Sequence, residues 1–330
     1  MTTRRIMLIT CLAMLPGALT YTWLFGAGVL LNLLCTSLTA LAVEACMLRL
    51  RRLPLQQLGD GTALVTGIIL GLCLPPLLPL WMAALGTAFA LIFGKHMYGG
   101  TGNNLFNPAM VGFAVLIVSF PLAMSHWPAP GSSNTFDQTL VHKVTLTQSR
   151  PVYDGITAAT PLDAYKFRKG LTNEEFFQTE QAEHWQSWAL VSLAYLAGGL
   201  VLVYLRLAPW QTPLAMLGTL AGLGVVFYDS GSSVSLGSPL FHLTTGAAVF
   251  AAFFVVTDPV TAPRHRSNLL LYGAGIGLVT FIIRTIGAYP EGVAFGVLLL
   301  NACVPLFDQL RVEAETTVES RTTSKRTENP

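Results

Sequence analysis

Long apolar segments separated by short polar stretches dominate this chain of 330 residues, and they constrain its fold more than any other feature. A run of about 20 apolar residues is long enough to cross a bilayer as a helix. Charged residues make up only 11% of the chain, whereas an ordinary soluble domain carries about 25%. The sequence therefore predicts an all-α polytopic membrane protein rather than a soluble domain.

We predict about ten transmembrane helices, with approximate bounds 7–25, 28–48, 62–78, 79–94, 108–126, 187–205, 212–228, 240–257, 269–286 and 292–310. The region 62–94 is ambiguous because Pro75, Pro76 and Pro79 interrupt it. The distribution of positive charge favours two crossings there. With ten spans and a cytoplasmic N-terminus, 13 of the 19 Lys and Arg residues lie in cytoplasmic segments, whereas a single crossing would reverse every later segment.

The predicted spans divide the chain into four parts, which are a first five-helix half at 1–126, a polar loop at 127–186, a second five-helix half at 187–310 and a tail at 311–330. The loop is predicted to be periplasmic, and the tail cytoplasmic and disordered, because the tail has no apolar period. Each half contains a polar interruption rich in Gly or Pro, at 98–108 and at 257–264. Paired interruptions indicate a repeated fold with a site between the repeats, and five spans per repeat would make the repeats inverted.

The polar loop contains the stretch DGITAATP at 154–161, which permits two compatible interpretations. Thr160 before Pro161, with Asp163 in the first turn, is typical of a helix start with a threonine cap. The pattern D-G-x-T-A-A-T also resembles the acceptor site at which a flavin transferase attaches FMN to Thr through a phosphoester bond. A phosphate on Thr160 would lie at a helix N-terminus, which favours negative charge, although Asp163 would oppose it.

A second polar run, GGTGNNLFNP at 99–108, combines close-packing glycines with Asn103, Asn104 and Asn107. Such residues are costly at membrane depth unless they line a cavity or satisfy broken helix ends. The run is interpreted either as a site for a flat polar ring or an ion, or as a cytoplasmic turn with Asn caps. In the second half, Asp258 either caps a turn, accepts a hydrogen bond from a flavin or binds a cation.

Other ionisable residues give weaker indications. Glu44 lies in the second span about a turn from Arg49, and it either has a functional role or extends toward the interface. The five cysteines and six histidines have no metal-ligand spacing, so no metal site is predicted. No Ser/His/Asp set and no phosphate-binding loop supports a hydrolase or an ATPase.

Five ordered motifs give the chain a family resemblance over about residues 5–310: KHMYGG at 95–100, NPAMVG at 107–112, the stretch 154–161, TDPVTAP at 257–263 and NACVPLFD at 301–308. Taken together, they resemble the RnfD membrane component of the Rnf (Rsx) electron-transport complexes, and more distantly the NqrB component of the sodium-pumping NADH:quinone reductase. Ala158 stands where the family pattern often has Gly, and both residues are small.

The resemblance implies that Thr160 carries covalent FMN and that the flavin transferase recognises Asp154, Gly155 and Thr157. It implies a bacterial inner-membrane complex that passes electrons between NADH and ferredoxin and couples this to movement of Na⁺ or H⁺. This chain would then be an electron carrier among the other subunits and part of the ion path. A second, noncovalent flavin such as riboflavin at Gly99–Asn107 is a further hypothesis.

Two alternatives remain open at this point. Ten spans in two halves with paired polar breaks would also suit a small-solute or ion transporter without redox chemistry. The chain could also be a structural membrane subunit that orients redox partners and carries no flavin. The acceptor stretch discriminates between these alternatives and the electron carrier, because neither alternative needs it.

Overall fold

The computed structural model describes residues 2–131, 136–144, 157–168, 170–179, 182 and 184–309. The helices in the first part of this range are α1 Thr3–Phe25, α2 Ala27–Leu50, α3 Thr62–Cys73, α4 Leu80–Gly94, α5 Pro108–Ser119 and α6 Pro121–Met124. The polar loop contributes β1 Trp127–Pro128, α7 Phe136–Val144, β2 Thr157–Ala158, α8 Pro161–Lys166 and α9 Asn173–Phe177. The second part contains α10 Trp185–Tyr204, α11 Gln211–Val226, α12 Pro239–Thr244, α13 Ala248–Phe254, α14 Arg266–Thr285 and α15 Val293–Gln309.

The architecture is that of a multi-pass helical membrane protein. Among the described residues, five helical segments are long and apolar enough to cross a bilayer, and several shorter apolar helices accompany them. On α2 the polarity is reversed relative to a soluble helix, because Leu34 and Leu38 are exposed while Asn32, Thr36 and Glu44 are buried. Every predicted span overlaps at least one of the observed helices. The prediction of an all-helical membrane fold is therefore confirmed.

The helices α1 and α10, which begin the two predicted halves, pack closely against each other. Gly17 faces the ring of Tyr195, and Gly198 faces the carbonyl of Ala13, so the two helices run antiparallel. A Cβ atom at Gly198 would lie 1.8 Å from the Ala13 oxygen. Glycine at this position is thus required by the close approach of the two backbones.

Two predicted spans are shorter or more broken than the apolar pattern suggested. The segment 62–78 forms a helix only as far as Cys73, because Pro75 and Pro76 have no amide hydrogen and cannot continue it. The segment 240–257 consists of α12 and α13, separated at Thr245–Ala247. Backbone groups released by such breaks need partners inside the protein, and those partners form the sites described below.

Candidate functional site

The stretch before Thr160 is fixed to the end of the first half by a short strand pair. The residues of β2 pair antiparallel with β1, with Thr157 opposite Pro128 and Ala158 opposite Trp127. This pairing brings the loop segment toward the aromatic residues at that end of the bundle. Asp154 and Gly155, the other predicted recognition residues, lie outside the described residues.

Thr160 is the N-cap of α8, as its local sequence predicted. Its Oγ1 accepts from the amide of Asp163 at 3.2 Å and donates to the Asp163 carboxylate at 2.6 Å. The extended backbone at Thr160 and Pro161 at the first helical position complete the cap. Burial raises the pKa of Asp163, although the hydrogen bonds from Thr160 act in the opposite direction. The hydroxyl of Thr160 is thus held in one position by a half-buried carboxyl group.

Thr160 lines a cavity of about 180 Å³ between the two halves. The cavity walls are mainly apolar and aromatic, and include Tyr21, Phe113, Trp127, Trp188, Tyr195 and Tyr289. The rings of Trp127 and Trp188 lie 5.2 Å apart between centroids, with their planes inclined at 61°. Residues of α1, α5 and α10 therefore surround the threonine that the sequence singled out.

Two hydroxyl groups in this cavity have no hydrogen-bond partner within the part of the chain that the structure describes. Tyr21 is 3% exposed and Tyr195 is 5% exposed, and both phenol oxygens are buried without a partner among the described residues. A buried polar group without a partner costs roughly 1–3 kcal/mol. Both tyrosines lie among apolar neighbours on helices, and no motif in the sequence singled them out.

At the same end of the molecule, the buried Arg284 forms an ion pair with the partly buried Glu291. The guanidinium of Arg284 donates to the Glu291 carboxylate at 2.8 Å and to the carbonyl of His242 at 2.8 Å. Glu291 also accepts from the Ala247 amide at 2.9 Å, which satisfies the start of α13. Burial would raise the pKa of Glu291, but the charge and hydrogen bonds of Arg284 outweigh this effect, so the pKa is lowered. Glu291 lines the cavity beside Thr160, and no motif in the sequence marked it.

The predicted Gly/Asn site lies at the opposite end, beside a second cavity of about 130 Å³ that Asn104, Asn107 and Asp258 line. Asn107 caps α5, and its side-chain amide lies 3.4 Å from the Val255 carbonyl and 3.5 Å from the Asp258 carboxylate. Asn104 is buried, whereas Asn103 is exposed and does not line this cavity. The structure thus brings together three of the four predicted residues.

Asn301 completes this polar junction between the halves. Its Oδ1 accepts from the backbone N–H of Asn107 at 3.2 Å. Its Nδ2 donates to the Tyr272 hydroxyl at 2.8 Å and to the Thr261 carbonyl at 3.2 Å. Val255 lines the first cavity and Asn107 lines the second, so the two cavities approach each other at this contact. Asn301 belongs to the NACVPLFD motif of the family resemblance, but that motif did not predict its contact with Asn107.

Near the second cavity, Glu44 forms a buried charged cluster. Its carboxylate accepts from Lys95 at 2.8 Å and lies 3.0 Å from His96, and Lys95 also donates to Thr62 at 2.9 Å. Glu44 is 3% exposed, so the interpretation that it extends to the interface is wrong. Its partners lie far along the chain, where helical spacing gives no information about them.

The comparisons with known proteins identify the family of this chain. The family model described as "NQR2, RnfD, RnfE family" matches residues 1–316. This chain belongs to that family. The chain is 47% identical over 302 residues to the D-type subunit of the ion-translocating oxidoreductase complex of Pseudomonas aeruginosa (strain UCBPP-PA14), which covers 90% of this chain and 86% of that protein. Identity to the protein of the same description from Aeromonas salmonicida (strain A449) is 43% over 328 residues, covering 93% of each.

Proposed function

We propose that this chain is the RnfD-type subunit of an ion-translocating oxidoreductase complex and that Thr160 carries covalent FMN. The protein would pass electrons between partner subunits while Na⁺ or H⁺ crosses the membrane. The observation that carries the flavin assignment is the position of the Thr160 hydroxyl at a cavity with aromatic walls. Membership of the family and the names of the relatives support the assignment to the complex.

The residues present fit a flavin. A cavity of about 150 Å³ accommodates a benzene ring, so the cavity of about 180 Å³ beside Thr160 has room for part of an aromatic ring system. The hydroxyls of Tyr21 and Tyr195 have no partner there among the described residues, and polar edges of a flavin would satisfy them. Bound FMN would supply a carrier that takes one or two electrons and cannot diffuse away.

The proposed topology has ten spans in two inverted five-helix repeats. Successive spans would alternate in direction, so the first helices of two five-helix repeats would be antiparallel, and the contact of α1 with α10 supports this arrangement. In this topology both termini are cytoplasmic, the Thr160 loop is periplasmic and membrane lipid surrounds the apolar outer faces. The flavin transferase would reach Asp154, Gly155 and Thr157 from the periplasmic side during maturation.

A second, noncovalent flavin such as riboflavin is proposed for the cavity at Asn104, Asn107 and Asp258. The amide groups and the carboxylate there offer donors and acceptors to a flat polar ring. The test is acid extraction of flavin from the purified Thr160→Ala variant, which lacks the covalent attachment. Release of one flavin per protein chain would support the site, and a flavin-free extract would refute it.

The two cavities also favour a second candidate function. They lie toward opposite ends of the molecule and meet at the contact between Asn107 and Val255, which would suit a non-redox transporter of ions or small solutes. Such a transporter needs no flavin. The presence of a covalent flavin therefore decides between the two functions.

In-gel fluorescence tests the proposal. The protein would be produced with its flavin transferase, denatured in SDS and viewed under ultraviolet light beside Thr160→Ala and Thr172→Ala. Thr172 is the matched control because it caps α9 in the same loop with the same type of hydrogen bond. We expect fluorescence in the wild type and in Thr172→Ala, and none in Thr160→Ala. Dark bands throughout, with correctly inserted protein and an active transferase, would favour the transporter.

A further inference from the structure

Lys143, on the loop helix α7, inserts its ammonium group into the end of the first helical half. The side chain is fully buried, and its Nζ donates to Asn32 Oδ1 at 2.7 Å, to the Pro76 carbonyl at 2.8 Å and to the Leu78 carbonyl at 2.9 Å. A lysine is almost never completely buried unless it is paired. Within the part of the chain that the structure describes, no carboxylate forms an ion pair with it.

Two of the three oxygen atoms around Lys143 are the carbonyl oxygens of Pro76 and Leu78, which lie in the break between α3 and α4. Pro75, Pro76 and Pro79 contribute carbonyl groups but no amide hydrogens, so this segment has more acceptors than donors. Asn32, which is fully buried on α2, donates to the carbonyls of Leu74 at 3.3 Å and Pro75 at 3.0 Å. These bonds orient its Oδ1 toward the ammonium group.

The three oxygen atoms surround the Lys143 ammonium group as they would surround a bound metal cation. An ammonium has three N–H donors, and each has one oxygen acceptor here. In K⁺ channels, rings of neutral carbonyl oxygens likewise replace the hydration shell of a bound monovalent cation. Lys166 differs, because it also donates to backbone carbonyls but is only half-buried.

We propose that Asn32 Oδ1 and the carbonyl oxygens of Pro76 and Leu78 form a site for a monovalent cation of the Na⁺ or K⁺ class, which the Lys143 ammonium fills as a tethered competitor. A free cation takes this position when the lysine is absent or when α7 moves away from α2. The site is separate from the flavin assignment, so it stands or falls independently of it.

The test is cation binding by the intact complex in detergent. Equilibrium dialysis with ²²Na⁺, and with ⁸⁶Rb⁺ as a substitute for K⁺, would compare the wild type with Lys143→Met. Choline chloride would keep the ionic strength constant. We expect the variant to bind one more monovalent cation per complex than the wild type, and the preferred isotope identifies the ion. Equal binding by the variant and the wild type would overturn the proposal.

Three further variants locate the extra cation. In Asn32→Leu with Lys143→Met the added binding should disappear, and in Lys143→Arg it should never appear, because the arginine keeps a cation in the site. Lys166→Met is the matched control, since it removes a lysine that is bound to carbonyls but borders solvent. An equal gain in Lys166→Met, or a gain that survives removal of the Asn32 amide, would overturn the proposal.

A different substitution of the same lysine covers the case in which Lys143→Met does not fold. Lys143→Ala leaves room for a hydrated ion and would be purified in NaCl, in KCl and in choline chloride. Recovery that depends on Na⁺ or K⁺ supports the proposal, because a ligand that binds only the folded state stabilises it. Failure to recover either variant in any of the salts would mean that a free cation cannot replace the lysine, which overturns the proposal.

Discussion

Tyr21→Phe removes a hydroxyl that has no hydrogen-bond partner among the described residues, and it should affect stability in opposite directions with and without flavin. Tyr21→Phe removes one oxygen atom and keeps the ring, which packs against Phe25 at 5.0 Å and Trp127 at 6.5 Å between centroids. In protein without flavin the hydroxyl is buried and has no partner among the described residues. In flavinylated protein we expect it to hydrogen bond with the flavin.

The magnitudes follow from the cost of an unmade hydrogen bond. Without flavin, the phenylalanine relieves a penalty of roughly 1–3 kcal/mol, so the free energy of unfolding should rise. With flavin, the same change removes a bond worth about 0.5–1.5 kcal/mol, so the free energy of unfolding should fall. For a domain of about 150–250 residues, 1 kcal/mol corresponds to a change in Tm of about 2–4 °C, and the change is smaller for a longer chain such as this one.

The assay is thermal unfolding of Tyr21→Phe in two backgrounds, the flavinylated wild type and Thr160→Ala, which lacks the covalent flavin. Tyr289→Phe is the matched control, because Tyr289 lines the same cavity but is only half-buried. We expect Tyr21→Phe to raise Tm without flavin and to lower it with flavin, and the control to change it little in either. A shift of the same sign in both backgrounds would refute the inference that Tyr21 contacts the flavin.

Three further predictions concern packing and charge. Lys95→Met should cost about 3–5 kcal/mol of stability, because it leaves the buried Glu44 carboxylate without its ammonium partner. In thermal unfolding, adding Glu44→Gln to this variant should restore part of the loss. An unchanged Tm in Lys95→Met alone would contradict this prediction. Gly198→Ala should prevent the close approach to Ala13 and lower the yield of folded protein in size-exclusion chromatography. Gly222→Ala should leave the yield unchanged, because a Cβ atom at Gly222 would have no neighbouring atom within 4 Å among the described residues. Asp163→Asn should raise the Tm of flavinylated protein by removing repulsion of the phosphate, and a fall in Tm would refute this.

Local chemistry predicted those features that depend on neighbouring residues. The apolar segments located the helices, because the length of an apolar run alone limits where a chain can cross a bilayer. Thr160 and Pro161 predicted the start of α8, since the threonine oxygen bonds to an amide only three residues away. Pro75 and Pro76 likewise marked the break after α3.

Contacts between distant residues could not be predicted in this way. Asn107 and Asp258 were each recognised as candidates, but they are 151 residues apart and only the packing of the halves brings them together. Glu44 had Arg49 as its nearest basic neighbour in the sequence, whereas its actual partner, Lys95, is 51 residues away. No periodic pattern distinguishes such a partner from other charged residues.

Two other residues, Tyr21 and Lys143, look ordinary in the sequence, although the structure gives each an unusual environment. In the sequence Tyr21 matches an ordinary buried aromatic residue on a span. Its place in the cavity beside Thr160, and a hydroxyl without a partner among the described residues, mark it as part of a candidate site. Lys143 belongs to a polar loop, where a lysine would be expected to face water. Its burial depends on acceptors that the Pro75–Pro79 break releases, and these belong to a different part of the chain.

Mass spectrometry of the loop peptide tests the central claim most directly. The protein would be isolated from cells that contain the flavin transferase, cleaved with a protease and fragmented to locate the modified residue. We predict that the peptide containing Thr160 carries the added mass of FMN less one water and that the fragments place it on that threonine. An unmodified peptide from cells with an active transferase, or a flavin located on Thr157 instead, would contradict this assignment.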